Sequence, residues 1–459
     1  MRKAELLIIG AGPAGYVAAI RASQLGAETV LVEKNTVGGT CLNRGCIPTK
    51  SLLSSVEVLN LARRAQEFGL EVDKVRPNLS SIVRRKDRIV DQLRRGVHYL
   101  LRANKISLVQ GRAQFLSPHR IKIDTPGGVE EIEAKKVIIA TGSRPLIPSF
   151  IDASHPQVLT SEEALKLDKA PQSLLIVGAG VIGCELGTIF SSLGSRITMV
   201  EMMDQVLPAE DKRVSQQLER IFQKKGIKVL TGTKLEKITE YREDGLVARL
   251  ENGEELEVDK ILICIGRVPD TQELGLERLD LEVDEKGNIK VNERMETSVE
   301  GVYAAGDVIG EPLLAHVASK EGIVAAENAL GINSRMDYSA VPHCIFTLPQ
   351  IGTVGLTPDE AEEKGIKVKI GRFSFSANGK AQAMGETTGF VQIVTEGKKI
   401  LGAQIIGPQA TELIHEIALA IKWGIDVEKL DQTIHAHPTL SEAIMEAALS
   451  AQGKSIHSI

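Results

Sequence analysis

Two stretches of this chain carry one pattern in constant register: Glu5 to Glu33 (ELLIIGAGPAGYVAAIRASQLGAETVLVE) and Ser173 to Glu201 (SLLIVGAGVIGCELGTIFSSLGSRITMVE). Each runs from an apolar strand through Gly-x-Gly-x-x-Gly into a helical stretch, a glycine stop, a second apolar strand and a glutamate. The glycines are Gly10, Gly12 and Gly15 in the first copy and Gly178, Gly180 and Gly183 in the second. In such a triplet the first glycine permits the sharp turn out of the strand, the second lets a pyrophosphate approach without meeting a Cβ, and the third lets helix and strand pack closely. The phosphate then faces the free N–H groups and positive dipole end of the helix. Glu33 and Glu201, each equally far past the first glycine of its copy, stand where a carboxylate can accept hydrogen bonds from two ribose hydroxyls. A single triplet also arises in a plain tight turn. Two, each between strand and helix with its acid in place, point to two dinucleotide sites.

Each unit also has a closing strand that ends in glycine, VIIATG (Val137 to Gly142) and ILICIG (Ile261 to Gly266), followed by an Arg/Pro turn. The stretch from Gly10 to Gly142 is much longer than the stretch from Gly178 to Gly266, so the first unit carries an insertion. That insertion holds two cysteines and a basic helical stretch from about Ser80 to Ala103. A further strand, GVYAAGD (Gly301 to Asp307), ends in an aspartate that needs a partner there, as the hydroxyls of a ligand would provide. Glu201 is followed by Met202, Met203, Asp204 and Gln205, with none of the basic residues that a 2′-phosphate needs, so NAD is expected over NADP.

The chain's 459 residues exceed one core and imply two to four domains. Hydrophobic residues at 43% exclude a disordered chain. Sixty acids against 55 bases, spread along the sequence, leave a net charge of −5 and no expected polybasic face, so neither nucleic acid nor anionic lipid is an expected partner. No apolar run is long enough to span a bilayer, and the short apolar stretch after Met1-Arg2-Lys3 leads straight into glycines, so the cytoplasm is the expected compartment.

Five cysteines are too few for a disulfide scaffold of this size. Cys41 and Cys46 lie close together in VGGTCLNRGCIPTKSLL, between a glycine turn and a helix expected from Ser51. A zinc site would ask for a second such pair, which the chain lacks. Two readings remain at this level: two unrelated buried thiols, or a reversible dithiol beside the first dinucleotide. Thiol exchange needs a base. In the run His435-Ala436-His437-Pro438-Thr439-Leu440-Ser441-Glu442, Glu442 can hold one ring nitrogen of His437 and leave the other for a thiol; His435 and His316 compete for that role. Cys184, Cys264 and Cys344 have no indicated partner and are expected to stay reduced.

Taken together, GGTCLNRGCIPTK, the doubled glycine units, VYAAGDV and HAHPTLSE resemble the pyridine nucleotide-disulfide oxidoreductases, over essentially the full length and in the family's order. The resemblance implies an α/β fold of two Rossmann-like dinucleotide-binding domains plus a C-terminal α+β dimerisation domain. It places FAD on the first unit and NAD on the second. It makes Cys41 the thiol that exchanges with substrate, Cys46 the thiolate that faces the flavin, and His437, oriented by Glu442, the base that serves the cysteines of the other subunit of a homodimer. It puts Lys50 beside the flavin with Glu185 as its acidic partner. Thr40, Ala113, Thr141, Gly142, Asp307 and Ala315 become cofactor-contacting positions of the first site, and Ile182, Leu235 and Gly266 of the second. The implied reaction is the oxidation of protein-bound dihydrolipoamide with reduction of NAD⁺. The implied partner is a lipoyl-bearing acyltransferase subunit of a 2-oxo acid or acetoin dehydrogenase complex, the latter suggested by FSFSANGKAQAMGE (Phe373 to Glu386) and Arg44.

The expected division is 1–146 (FAD), 147–268 (NAD), 269–336 (a central segment that returns Asp307 to the first site) and 337–459 (dimerisation). A glutathione-type reductase would show basic residues near Glu201, and a mercuric reductase an extra cysteine pair where this chain ends AQGKSIHSI. A non-catalytic flavoprotein scaffold would have lost Cys41, Cys46 or His437, all of which are present.

Overall fold

The two repeats fold into two parallel βαβ units of the same shape. A computed structural model of the chain describes residues 2–457; Met1, Ser458 and Ile459, the last two closing the AQGKSIHSI run, lie outside the described residues. In the first unit β1 (Arg2–Ile9), α1 (Pro13–Gln24) and β2 (Thr29–Glu33) make the glycine-loop crossover. Pro13 opens α1, where its missing N–H costs no helical bond. The insertion then supplies α2 (Gly39–Arg44), α3 (Cys46–Arg63) and α4 (Leu79–Ala103), before β3 (Ser107–Gln110), β4 (Arg112–Ser117), β5 (Arg120–Thr125) and β6 (Gly128–Ile139). Strands order as β3-β2-β1-β6-β5-β4. All five residues of β2 are buried, as expected of a parallel strand covered on both faces.

One expected boundary moves. The helix expected from Ser51 begins at Cys46, because Thr49 donates from both N (3.0 Å) and Oγ1 (2.7 Å) to the Gly45 carbonyl, and Pro48 sits in the first turn where proline is tolerated. Cys46 therefore opens α3 instead of lying in the loop before it.

A short strand β7 (Ser143–Pro145) leads to the second unit: β8 (Val158–Leu159), α5 (Ser161–Ala164), β9 (Ser173–Val177), α6 (Val181–Ser192), β10 (Arg196–Val200), α7 (Lys212–Lys224) and β11 (Lys228–Leu230). An antiparallel trio follows, β12 (Leu235–Tyr241), β13 (Leu246–Leu250) and β14 (Glu255–Val258), then β15 (Lys260–Ile263) and β16 (Arg267–Pro269). The parallel sheet is ordered β11-β10-β9-β15-β8. The two Arg/Pro turns meet: β7 and β16 pair antiparallel, Arg267 opposite Pro145 and Pro269 opposite Ser143, and join the units.

The chain returns to the first sheet through β17 (Val302–Ala304), parallel to β6, and α8 (Ala315–Ala329), which packs on α1. The strand expected over Gly301 to Asp307 ends at Ala304; Gly306, at φ +79°, turns the backbone so that Asp307 opens a 3₁₀ turn. The C-terminal part is a five-stranded antiparallel sheet spanning residues 343–407, with helices at Ala410–Lys422 and Glu442–Ala451 against it. The face of the sheet under these helices has a core of its own, while Ile345, Ile351 and Ile406 on the sheet join the core shared by the second unit and α3. Among the described residues no helix is long and apolar enough to cross a membrane.

Candidate active site

Both glycine loops and both cysteines line one cleft of about 1400 Å³. The loops are built alike. Gly10 and Gly178 both have φ +99°, and a Cβ on either would lie 2.4 Å from a carbonyl of the closing segment, Ala140 or Cys264. A Cβ on Gly15 would meet the Gly10 carbonyl at 1.8 Å, and one on Gly183 the Gly178 carbonyl at 2.1 Å. Gly15 and Gly183 therefore face the strand, outside the cleft, as packing positions. A Cβ on Gly12 would meet only the Gly39 Cα, at 3.9 Å, and one on Gly180 nothing within 4 Å, so both glycines leave room at the backbone for a ligand. Those cradles fit a pyrophosphate approaching the N-terminus of α1 or α6.

Glu33 and Glu201 each brace their own loop. Glu33 accepts from Ala11 N and Asn35 N, both at 2.7 Å; Glu201 accepts from Ala179 N (2.7 Å) and Met203 N (2.9 Å). A carboxylate has about four lone-pair directions, so each keeps acceptor capacity toward the cleft. This bracing was not legible in the motif, which assigns the acid only to the ligand.

Cys41 stands on α2 and Cys46 at the first turn of α3, and the two thiols are close enough to shift each other's acidity. Cys41 holds the Cys46 thiol below the ordinary thiol range, against burial, with the Lys50 charge adding to the effect. The neighbouring Cys46 and burial push the Cys41 thiol up. Lys50, one turn along α3, places Nζ 2.8 and 2.9 Å from the two carboxylate oxygens of Glu185 and 4.5 Å from the centre of the Phe346 ring. Glu185, 3% exposed on α6, also accepts from Phe346 N at 2.9 Å. One ion pair thus ties the cysteine helix, the second unit and the C-terminal part. The other three cysteines have no thiol-lowering neighbour to match: burial raises Cys184, Cys264 and Cys344, the last two to about 12 and about 11.

Asp307 accepts from Ser143 Oγ at 2.5 Å, and Arg267 donates to Ser143 from Nε and Nη2, both at 2.7 Å. The aspartate expected to need a ligand thus has one protein donor already. Behind it, Gly306 N donates to Glu321, which is 3% exposed and also accepts from the Tyr338 hydroxyl at 2.7 Å. Ser143, Arg267 and Glu321 escaped the sequence reading, although the matched Arg/Pro turns marked the place of the first two. Thr141 Oγ1 is buried in the same wall with no hydrogen-bond partner among the described residues. A nucleotide that lies between the first glycine loop and Asp307 would meet that orphaned hydroxyl, which fits FAD there.

Thr40, Lys50, Ala113, Gly142, Ile182, Leu235, Gly266 and Ala315 line the cleft with the residues above. His437 and Glu442 do not. His437 Nδ1 lies 2.8 Å from Glu442 Oε1, while Thr439 N donates to Oε2 at 2.8 Å. Burial raises the Glu442 carboxyl, but the Thr439 N–H and His437 outweigh it and hold it low. The His437 side chain is 77% exposed, with Nε2 unengaged among the described residues, whereas His435 is 5% exposed and clamped between Thr433 O and Glu416. His316 lines the cleft, its Nε2 3.0 Å from Pro342 O, and burial lowers it.

Comparison with known proteins agrees with this architecture. A dihydrolipoyl dehydrogenase of Bacillus subtilis is 44% identical over 99% of both chains. One of Haloferax volcanii is 45% identical, over 99% of this chain and 98% of its own. The crystal structure of LpdA from Mycobacterium tuberculosis superposes with a TM-score of 0.90 at 30% identity, covering 98% of this chain and 99% of that one. Residues 4–322 match the pyridine nucleotide-disulphide oxidoreductase family and residues 341–448 its dimerisation domain, and on these matches the chain belongs to that family.

Proposed function

We propose that the chain oxidises protein-bound dihydrolipoamide to lipoamide and reduces NAD⁺ to NADH, as a cytoplasmic homodimer serving a 2-oxo acid or acetoin dehydrogenase complex. Residues 1–146 hold FAD, 147–268 hold NAD, 269–336 complete the flavin site and 337–459 form the dimer interface. The observation that carries this reading is a pair of cysteines on successive helices, α2 and α3, in one cleft with two glycine loops. The full-length relatives named dihydrolipoyl dehydrogenase add support.

FAD, held by the Gly10–Gly15 loop, Glu33, Thr141, Lys50 and Asp307, supplies the two-electron relay between dithiol and NAD⁺ when bound. In the oxidised enzyme a substrate thiol, giving its proton to His437 Nε2 of the second copy, attacks Cys41 of the Cys41–Cys46 disulfide. The S–S bond breaks and Cys46 leaves as thiolate, the form that its lowered pKa favours. The second substrate thiol then displaces Cys41, its proton passing to the departing Cys41 sulfur, and the lipoamide ring closes. Glu442 keeps His437 in the tautomer with Nε2 free to take the proton. Lys50 stabilises the thiolate charge beside it and is itself held by Glu185.

The test is dihydrolipoamide-dependent reduction of NAD⁺ against NADP⁺, with oxidised glutathione plus NADPH as control. Turnover confined to the first pair is expected; turnover of glutathione at a comparable rate would overturn the reading. His437→Gln and Cys41→Ser subunits, each inactive alone, are expected to regain activity on forming mixed dimers.

A further inference from the structure

The basic stretch noted in the sequence, now α4, has no role in the site described above. Its 25 residues hold seven bases and two acids, net +5, on a chain of net −5. Asn78 caps its N-terminus by accepting from Ser81 N at 3.0 Å, and the helix packs through Ile82, Val90, Val97 and Leu101 onto the cores of both units and against α2 and α3, the two helices that carry the cysteines. The acids are consumed locally: Asp87 pairs with Lys86 at 2.7 Å and Asp91 with Arg94 at 2.5 Å. Arg85 turns inward to Ser51.

What remains is a row on the outward face, Arg84, Arg88, Arg95 and Arg102, interleaved with Gln92 and with Tyr99, which is 65% exposed. None of these four arginines has an ion-pair partner among the described residues. From Arg84 to Arg102 the row runs ~27 Å, and successive arginines from Arg88 onward stand ~10 Å apart. This departs from the expectation that the charges are too dispersed for a basic face. An uncompensated row of like charge costs folding stability, so the fold itself gives no reason for it. Arginine and tyrosine are also the side chains that protein interfaces favour. A bilayer does not fit, because Val90 and Leu101 are buried in the protein and the exposed Leu93, Tyr99 and Leu100 are interleaved with the arginines and form no separate apolar face.

We infer that α4 is the docking surface for the protein domain that presents the dithiol, and that this domain meets it with an acidic face. The inference rests on the proposed function, in which the substrate arrives attached to a protein. A carboxylate-rich surface seated on the row lies over the helices of Cys41 and Cys46, so charge steering delivers the dithiol to the cleft that uses it.

The test uses the flavin-loaded dimer with Arg88, Arg95 and Arg102 all replaced by Gln, and in parallel by Lys. Substrates are free dihydrolipoamide and one lipoyl-bearing protein domain with a surplus of surface carboxylates, in its native form and with those carboxylates replaced by amides. At ~0.01 M ionic strength, where the screening length of ~30 Å spans the row, kcat/KM of the Gln variant for the acidic domain is expected to fall about tenfold, chiefly through KM. The gap closes toward 1 M salt, the Lys variant keeps most of the rate, and free dihydrolipoamide and the amide form change less than about twofold. Equal kcat/KM for the acidic domain before and after substitution overturns the inference, as does an equal loss on the free substrate. So does tight, arginine-dependent binding of a DNA oligonucleotide without any effect on the domain. If the unsubstituted enzyme fails to turn over free dihydrolipoamide, it is the proposed function that falls.

Discussion

The two glycine loops are near copies in backbone and differ in what covers them. Both turn at φ +99°, both are closed by a glutamate 2.7 Å from a loop N–H, and both seat their third glycine against the carbonyl of the first. Over the first loop the cysteine insertion closes down: a Cβ on Gly39 would stand 2.6 Å from the Cα of Gly12, and Asp307 returns to the same wall from a distant segment. Over the second loop nothing comparable sits; Gly180 has no neighbour within 4 Å of a Cβ position, and Met202 and Met203 are 59% and 48% exposed. One motif therefore serves two purposes. A covered cradle suits a cofactor that stays, and an open one suits a cosubstrate that must leave on every turnover. Residence is set by the insertion, not by the motif.

The sharpest way to break this comparison is to damage each loop in turn. Gly15→Ala places a methyl 1.8 Å from a backbone oxygen, and Gly183→Ala places one at 2.1 Å, so in either case the strand and helix must part. Gly15→Ala is expected to purify without flavin colour and without activity. Gly183→Ala is expected to remain yellow while its NAD⁺ turnover drops at least about 100-fold, roughly 2.7 kcal/mol. Loss of flavin from both would show that the units are not separable. Next in size is Cys46→Ser, which touches only the insertion. Dithiol oxidation should fall more than about 10³-fold, while NADH oxidation by an artificial electron acceptor stays within about threefold, since both nucleotide cradles are intact. A variant that loses both half-reactions alike would sink the assignment of Cys46.

Between the units stands the Lys50–Glu185 pair. Lys50→Met leaves the Glu185 carboxylate buried with only Phe346 N as donor, and a drop of about 2–4 kcal/mol in unfolding free energy is expected. The same change removes the charge that helps hold Cys46 low, so its thiolate should protonate at higher pH than in the unsubstituted protein. Thiolate absorbance followed against pH measures this directly. An unchanged midpoint would mean that the neighbouring Cys41 sets the acidity without Lys50.

Much of this architecture is legible in the amino-acid sequence because it is local. The loops, the cysteine pair, and His437 with Glu442 each lie within about one βαβ unit or a few residues of chain, where turn chemistry and spacing suffice. What was not legible joins segments far apart: Arg267 reaching Ser143 across 124 residues, Glu321 supporting the turn before Asp307, and the β7–β16 pairing that docks the units. Periodicity carries no signal for such pairings. The start of α3 falls at Cys46 and not at Ser51 because the glycine before Cys46 reads as a loop residue, while its carbonyl is what the first turn grips. His437 is the instructive case. Its partner Glu442 was legible, but its exposed Nε2 meets no target among the described residues, and the proposed function assigns it one on a second copy.

The smallest expected effect concerns the residue after each glutamate, where the copies differ by charge. Lys34 follows Glu33 in the first unit, and Met202 follows Glu201 at the matching place in the second. Lys34 does not act as a free cation: Asp270 neutralises it at 2.7 Å. Met202 has no such acid bonded to it, so Met202→Lys would place an unneutralised ammonium at the rim of the open cradle, beside a Glu201 carboxylate that stays fixed by Ala179 N and Met203 N. The ammonium attracts a 2′-phosphate with about 1 kcal/mol or less at this exposed rim, and the buried Glu201 carboxylate opposes it. The net gain for NADP⁺ is therefore expected to be no more than about tenfold in kcat/KM, with NAD⁺ changed less than about threefold. Adding Glu201→Gln should widen the gain, since it removes the repulsion yet leaves an amide oxygen to accept from the loop. If neither variant moves the ratio of NADP⁺ to NAD⁺ kcat/KM, the carboxylate is only a brace for its loop, and the nucleotide preference is set elsewhere in the cleft.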